Sequence, residues 1–155
     1  MASQSMSQLI AAASICLSPY EALYKNFHSH PELSNQEVET SATCAAHLSK
    51  LGVFKIHTNI GGHGLAGVFK NGPGKTILLR ADMDALPVLE NTSLSYSSTV
   101  TAKGADGLLT PVMHACGHDM VCPQSLEFLF VVWGISRVFG SLGCLEQAVQ
   151  IVQID

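Results

Sequence analysis

The chain has 155 residues, a formal net charge of −4 and a pI near 5.9, and it contains no block of basic residues. Nucleic acids and anionic membranes are therefore not expected partners, because both are bound mainly through clustered Lys and Arg. The length predicts one domain or a piece of a larger one. Hydrophobic residues make up 47 % of the sequence and charged residues 13 %, which is core-rich for this length and predicts apolar surface for a partner or a missing second half. The five cysteines are irregularly spaced, so we expect no disulfide framework and a cytoplasmic location.

The first predicted elements are helices. Residues 9–17 form an apolar run without a preceding Lys or Arg, which indicates an amphipathic helix in the cytosol and no secretory signal. No apolar run is long enough to span a bilayer. Ser18 begins a capping-box pattern as the predicted cap, and the helix should end near His30 because the next residue is proline.

A second capping-box pattern at residues 34–37 predicts that another helix opens there and stops at Gly52. Cys44 and His47 within it are interpreted as ordinary packing or surface residues. Apolar residues recur at spacings of three and four and predict one buried stripe, formed by Val38, Ala42, Ala45, Leu48 and Leu51.

Three strands are predicted next. Residues 54–58 alternate in polarity, and the glycines of residues 61–64 are interpreted as a turn, because no lysine or GxGxxG pattern supports a phosphate cradle. Residues 65–69 and 76–81 are two strand-like runs joined by the turn signal of residues 71–74, which predicts a hairpin. Within the second run Ile77, Leu78 and Leu79 are continuously apolar, as in a strand that is covered on both faces.

Two aspartates follow this last strand. Asp82 and Asp84 alternate onto one face of an extended chain, so both carboxylates can point at a single cation or at a ligand histidine. The alternative is a solvated aspartate pair in a turn. Residues 90–111 are rich in Ser, Thr, Gly and Asn, and they predict a long surface loop of the kind that borders a site.

Residues 113–119, MHACGHD, offer a thiolate, two imidazoles and a carboxylate. If the segment is extended, Cys116 and His118 share one face, and His114 can join them. Sulfur and imidazole ligands together suit zinc best. Because a tetrahedral zinc site needs four donors, the segment predicts half of a site with further ligands elsewhere.

Three other readings of this segment stay open. Cys116 could be a nucleophile activated by a neighbouring histidine. The cluster could also be a structural zinc knuckle, although no CxxC or HxxxH partner occurs in the chain. Finally, these residue types could stand together by chance in a core or a loop.

Three motifs taken together resemble one family. HSHPELS at residues 28–34 with Glu37, RADMDALP at residues 80–87 and MHACGHD at residues 113–119 resemble the amidohydrolase branch of the zinc metallopeptidases, which includes hippurate, N-acyl-amino-acid and indole-acetyl-amino-acid hydrolases. The resemblance implies an α/β fold with a mixed sheet flanked by helices, as a truncated portion of a two-metal aminopeptidase-like catalytic domain. It also implies cleavage of the amide bond of small N-acyl amino acids.

The resemblance assigns roles to single residues. Cys116 and His118 match metal ligands, and Asp84 matches the acidic residue that supports the site, with Asp82 preceding it on the same face. Asp84 and Asp82 are therefore the candidate catalytic residues. His114 and Asp119 are candidates for contacts behind the ligands. The family's cofactor is a pair of divalent cations, which are zinc, manganese, cobalt or nickel, and the full family chain can form homo-oligomers.

The resemblance ends at Met120. Val121 stands where such proteins usually have a second histidine, and the downstream Glu-Glu pair and later histidine ligands have no counterpart. We therefore predict that residues 1–120 are the N-terminal part of a catalytic domain and that residues 121–155 are an unrelated tail, with a translated intron as one origin. The chain alone is predicted to be inactive. The alternative function is a non-catalytic fragment or interaction module that binds metal weakly.

Overall fold

A computed structural model describes residues 16–70, 75–126 and 145–152 of the protein. The predicted helix over residues 9–17 lies almost entirely outside this part of the chain. Two helices come first, α1 (Ser18–Ser29) and α2 (Val38–Leu51), and a third, α3, covers residues 118–126. The strands are β1 (Lys55–Ile60), β2 (Gly64–Lys70), β3 (Lys75–Ala81), β4 (Thr101–Lys103), β5 (Leu109–Pro111) and β6 (Leu145–Val152).

The main sheet has four strands in the order β1-β2-β6-β3. β2 runs antiparallel to β1 and to β6, whereas β3 and β6 are parallel. β4 and β5 form a separate antiparallel pair. This mixed sheet with helices confirms the α/β prediction. None of the helices in the described ranges is long and apolar enough to cross a membrane.

The predicted hairpin between β2 and β3 is wrong, because β6 lies between these two strands. Parallel neighbours such as β3 and β6 need a long crossover connection, and here α3 lies within it. A local turn signal cannot reveal a partner so distant in sequence. The hairpin that does form joins β1 to β2 through residues 61–63, which confirms the glycine turn.

Helix α1 begins one residue earlier than its capping pattern predicts. Leu17 is the N-cap and no side chain caps the helix, so the prediction that Ser18 is the cap is wrong. The helix ends at Ser29 with His30 as its C-cap, as the following proline predicts.

Helix α2 begins at Val38, later than predicted, because Asn35 adopts a left-handed conformation with φ of 63°. Its first N–H groups are satisfied by the carboxylate of Glu32, which accepts from the N–H of Glu39 at 3.1 Å and of Thr40 at 2.8 Å. The predicted stop is confirmed at the other end, where Gly52 is the C-cap with φ of 69°.

The buried face of α2 is displaced from the predicted stripe. Val38 and Ala42 are exposed, and the Ser41 hydroxyl donates to the carbonyl of His63 at 2.5 Å. This contact with the β1–β2 turn helps to set which face of α2 meets the sheet. The buried residues of the helix are Thr40, Ser41, Cys44 and Leu48, which confirms packing for Cys44.

The main core joins all three helices to the sheet. Cys122 and Leu126 of α3 are fully buried in it, although both belong to the predicted tail. β6, from the same part of the sequence, lies inside the sheet. The division at Met120 concerns the origin of the sequence and stays a prediction. The core cluster consists of Phe27, Cys44, Leu48, Leu65, Phe69, Ala81, Met83, Cys122 and Leu126.

Two further expectations are corrected by the exposed surface. Strand β3 is not covered on both faces in the described part of the chain, since Leu78 is 57 % exposed. The long loop predicted over residues 90–111 is irregular up to residue 100, and β4 and β5 then form a short hairpin.

Candidate metal centre

The MHACGHD segment turns from an extended bridge into a helix. Met113 and Leu86 exchange backbone hydrogen bonds at 2.9 and 3.0 Å, which places the segment beside the chain that follows β3. Gly117 has φ of 78°, and its carbonyl accepts from the N–H of Met120 and Val121 at the start of α3. The condition that the segment is extended therefore fails after Met113, because a left-handed glycine redirects the chain.

His118 lies in the first turn of α3 against Asp84. Its Nδ1 is 2.9 Å from the Asp84 carbonyl oxygen and 2.9 Å from Asp84 Oδ1. Both oxygens are acceptors, so Nδ1 carries the proton and the lone pair of the ring lies on Nε2. Metal-ligating histidines are usually held in this way, with the other ring nitrogen donating to a carboxylate or carbonyl.

Asp82 has a different partner from Asp84. Its Oδ1 accepts from Arg80 Nε at 2.9 Å and from a second guanidinium nitrogen at 2.8 Å. The two carboxylates lie on the less buried side of the segment, while the residues that alternate with them are buried, namely Ala81, Met83 and Ala85. Asp84 alone is therefore directed at a histidine, and a catalytic role for Asp82 stays a prediction.

Cys116 is exposed and borders a cleft of about 450 Å³, which His114 and Asp119 also line. Asp84 borders another cleft, of about 430 Å³. A thiol two residues before a correctly oriented imidazole fits the donor preference of zinc. The described ranges nevertheless contain no group of three His, Cys, Asp or Glu residues that could hold a metal ion. These residues thus fit a metal in type and offer only part of a complete site.

His114 is buried and its two ring nitrogens have no hydrogen-bond partner among the described residues. Burial lowers its pKa, so the ring is held neutral. The structure records no hydrogen bond from it to Cys116 or His118, and its role behind the ligands stays a prediction.

Asp119 takes part in a buried network that sequence reasoning missed. Asp119 Oδ2 is 2.7 Å from His28 Nδ1, and His28 Nε2 is 2.9 Å from Glu90 Oε1. The side chains of these three residues are between 0 % and 7 % exposed. His28 opens the first of the three motifs, which was the available signal, while nothing in the sequence singles out Glu90.

The electrostatics of the network follow from these contacts. Burial alone would lower the pKa of His28, but the hydrogen bonds to Glu90 and Asp119 outweigh it and raise this pKa. Burial likewise opposes ionisation of Glu90, yet hydrogen bonds from Thr92, His28 and the Ser98 N–H bring its pKa to about 2. The contacts therefore favour the protonated form of His28 and the ionised form of Glu90.

Comparison with known proteins places the chain in a class of hydrolases. Thermostable carboxypeptidase 1 of Saccharolobus solfataricus is 47 % identical over 61 % of this chain and 22 % of its own length. Hippurate hydrolase of Campylobacter jejuni is 41 % identical over 64 % of this chain and 24 % of its own. N-acetyl-L-cysteine deacetylase of Bacillus subtilis is 39 % identical over 70 % of this chain and 24 % of its own length. No protein-family model matches the chain.

Solved structures agree with these sequence matches. A protein of methicillin-resistant Staphylococcus aureus, provisionally described as an aminohydrolase, superposes with a TM-score of 0.77 at 32 % identity, over 96 % of this chain and 35 % of its own. The YXEP protein of Bacillus subtilis, a dinuclear metal-binding peptidase of the M20 family, superposes with a TM-score of 0.72 at 27 % identity. The match covers 93 % of this chain and 36 % of that protein.

The fold and the residue types of the candidate site thus agree with an α/β domain of the metallopeptidase type. By sequence and by fold, the chain is related to the amidohydrolases of the M20 peptidase type. It spans about a quarter of the length of the curated relatives that it matches.

Proposed function

We propose that this chain is the N-terminal part of a metal-dependent amidohydrolase that cleaves the amide bond of small N-acyl amino acids. The observation that carries the proposal is the hydrogen bonding of His118 Nδ1 to Asp84, which leaves Nε2 as the metal-binding nitrogen two residues after Cys116. The names of the related hippurate hydrolase and N-acetyl-L-cysteine deacetylase support the substrate class.

In this proposal Cys116 and His118 are metal ligands, and Asp84 fixes the tautomer and orientation of His118. When bound, divalent cations lower the pKa of a coordinated water and polarise the amide carbonyl. Zinc suits the sulfur and imidazole donors best, with manganese, cobalt and nickel as the other candidates for a pair of cations. Asp82 stays in the proposal as the second acidic residue of the site.

We further propose that the chain alone does not catalyse hydrolysis, since its described residues supply fewer than three ligands. The second candidate function is a non-catalytic fragment or interaction module with weak metal binding. Exposed apolar side chains favour it, namely Leu78, Leu108 and Leu109. We place the protein in the cytoplasm, supported by its irregularly spaced cysteines and by the free thiols of Cys16 and Cys116.

The origin of residues 121–155 belongs to the same proposal. We infer that this tail arose from a changed reading of the gene, such as an unspliced intron, because the motif pattern stops abruptly after Met120. The nucleotide sequence tests this. A downstream exon that restores a histidine and a Glu-Glu pair would support the inference, and the lack of both a splice donor and such an exon would contradict it.

Metal analysis and an activity assay test the proposed function together. The purified chain is equilibrated with zinc or manganese, the bound metal is quantified, and hydrolysis of hippurate is followed. We expect weakly bound zinc and no turnover. Metal-dependent turnover by this chain would overturn the proposed inactivity.

Two cysteine variants identify where the zinc binds. Cys116→Ser should lose the zinc, whereas Cys16→Ser should retain it, because Cys16 is also exposed and lies outside the site. Cys44→Ser should also retain zinc, although Cys44 is a core residue and the substitution tests packing as well. Equal loss of zinc in all three variants would show that thiols bind the metal non-specifically.

A further inference from the structure

His28 connects three segments that are distant in sequence. It lies near the end of α1, and its two ring nitrogens contact Asp119 in α3 and Glu90 in the loop that follows β3. These partners are 91 and 62 residues away along the chain. A single buried imidazole therefore holds together the helix and the loop that border the candidate metal centre.

The hydrogen bonds define the charge of this imidazole. Asp119 accepts from His28 through Oδ2 and from the Met120 N–H through Oδ1. Glu90 accepts from His28 through Oε1 and from the Ser98 N–H through Oε2. All four carboxylate oxygens are acceptors, and a ring donates from both nitrogens only when it is doubly protonated, so His28 is an imidazolium between two carboxylates.

The network acts on the first turn of α3. Asp119 immediately follows His118, and its second oxygen bonds a backbone N–H of that same turn. The rings of Tyr24 and Tyr96 lie 5.7 and 5.3 Å from the His28 ring, measured between centroids, and limit its rotation. The position of His28 is thus transmitted to the helix start that carries His118.

We propose that His28 is a positioning residue: held between Glu90 and Asp119, it fixes the first turn of α3 and thereby keeps the His118 ring against Asp84. The significance of this for metal binding rests on the proposed function, because that function makes His118 a ligand. The structural part of the proposal concerns the metal-free chain and stands independently.

Nuclear magnetic resonance of the metal-free full chain tests the structural part. In the wild type we expect both ring nitrogens of His28 to be hydrogen-bonded and the neutral ring of His118 to carry its proton on Nδ1. His28→Gln carries both of its N–H donors on one nitrogen and cannot occupy the positions of both ring nitrogens, so His118 should lose its preference for the Nδ1–H tautomer. His30→Gln, an exposed histidine two residues away, should leave His118 unchanged.

A second control separates positioning from general loss of stability. Phe69→Leu destabilises the same core without touching the network, so His118 should keep its tautomer in this variant. A folded His28→Gln variant with a wild-type His118 tautomer would overturn the proposal. If this variant does not fold, the wild type decides, because a His28 ring that lacks a hydrogen bond to Glu90 or to Asp119 in the folded chain contradicts the proposal.

Zinc affinity then tests the link to the metal. Substitutions behind a ligand typically weaken metal binding about 10- to 100-fold, and we expect this for His28→Gln and no change for His30→Gln. If the wild type binds no zinc, the proposed function fails while the tautomer of His118 still decides the positioning role. Equal zinc affinity in the wild type and a folded His28→Gln variant would refute the link between positioning and metal binding.

Discussion

Two histidines in this molecule are paired with aspartates, and their surroundings differ. His28 uses both ring nitrogens in hydrogen bonds to buried carboxylates. His118 uses only Nδ1, and its side chain and that of Asp84 are 24 % and 16 % exposed. The two pairs are adjacent, because Asp119 of the first follows His118 of the second.

The difference fits a structural role for His28 and the ligand role that we propose for His118. An imidazole whose two nitrogens are both hydrogen-bonded has no lone pair to offer a metal ion. An imidazole held through Nδ1 alone keeps the lone pair of Nε2 available to a metal ion. The buried network holds the start of α3, and the less buried pair leaves Nε2 of His118 unbonded, two residues after Cys116 in the sequence. Residue type alone cannot make this distinction, since both pairs consist of a histidine and an aspartate.

The largest effect is expected from removing the buried imidazole. His28→Ala leaves two carboxylates buried without their shared partner, and loss of one member of a buried ion pair costs about 3–5 kcal/mol. Urea unfolding should show this decrease in the free energy of unfolding. His30→Ala is the matched control at an exposed position, with an expected change within about 0.5 kcal/mol. Similar losses of stability in His28→Ala and His30→Ala would show that the buried contacts of His28 are not what stabilises the chain.

The less buried pair, His118 and Asp84, should respond through metal affinity more than through stability. Asp84→Asn retains an acceptor near His118 Nδ1 and loses the negative charge, so zinc affinity should fall about 10- to 100-fold, measured by competition with a chelator. Asp82→Asn is the control, because Asp82 bonds Arg80 and not a histidine. An affinity loss for Asp82→Asn as large as for Asp84→Asn would show that both carboxylates support the ligand.

The pH dependence of stability should report the network. The pKa of Glu90 falls from 4.5 to about 2 in the folded chain, so its contribution is present above pH 4.5 and is lost as pH falls toward 2. The pKa of His28 is raised from 6.5, so its contribution is complete below pH 6.5 and is lost as pH rises through the folded value. Urea midpoints over this range should therefore be highest between these two limits.

The other groups that face His28 bear on the same measurement. They are Asp119, Tyr24, Tyr96 and, through its field, His114. Tyr24 has its pKa raised to about 12, mainly by burial, and does not titrate in this range. His28→Gln should abolish the loss of stability on the alkaline side. Persistence of that loss in the variant would assign it to another group.

The smallest effect is expected at the surface pair of Arg80 and Asp82. Both side chains are partly exposed, and exposed ion pairs contribute between about 0 and 1 kcal/mol because solvent screens them. Arg80→Ala should therefore change the free energy of unfolding by less than about 1 kcal/mol, and added salt should reduce the difference. A larger, salt-independent loss would indicate that Arg80 has a role in the fold beyond this pair.

The sequence predicted local features well where one residue dictates the backbone. Gly52 ends α2 and the glycines of residues 61–63 turn β1 into β2, because these positions need a left-handed or tight backbone. Prediction from the sequence failed where residues distant along the chain determine the local structure. The position of β6 between β2 and β3 and the capping of α2 by Glu32 both depend on tertiary contacts.

The candidate site was predicted as residue types and not as geometry. The expectation that an aspartate after β3 meets a histidine is met by Asp84 and His118. The partner of Asp119 was missed, since a histidine in α1 and a glutamate in a loop come together only after folding. The expected sharing of one face by Cys116 and His118 depended on an extended chain, which the left-handed Gly117 excludes.

The division between the two histidines is tested most directly by adding zinc to the wild-type chain and observing both rings by nuclear magnetic resonance. We predict that the Nε2 signal of His118 shifts on binding while its Nδ1 proton remains, and that both nitrogens of His28 stay protonated and unchanged. A zinc-dependent shift at His28, or binding that leaves Nε2 of His118 unaffected, would contradict the account.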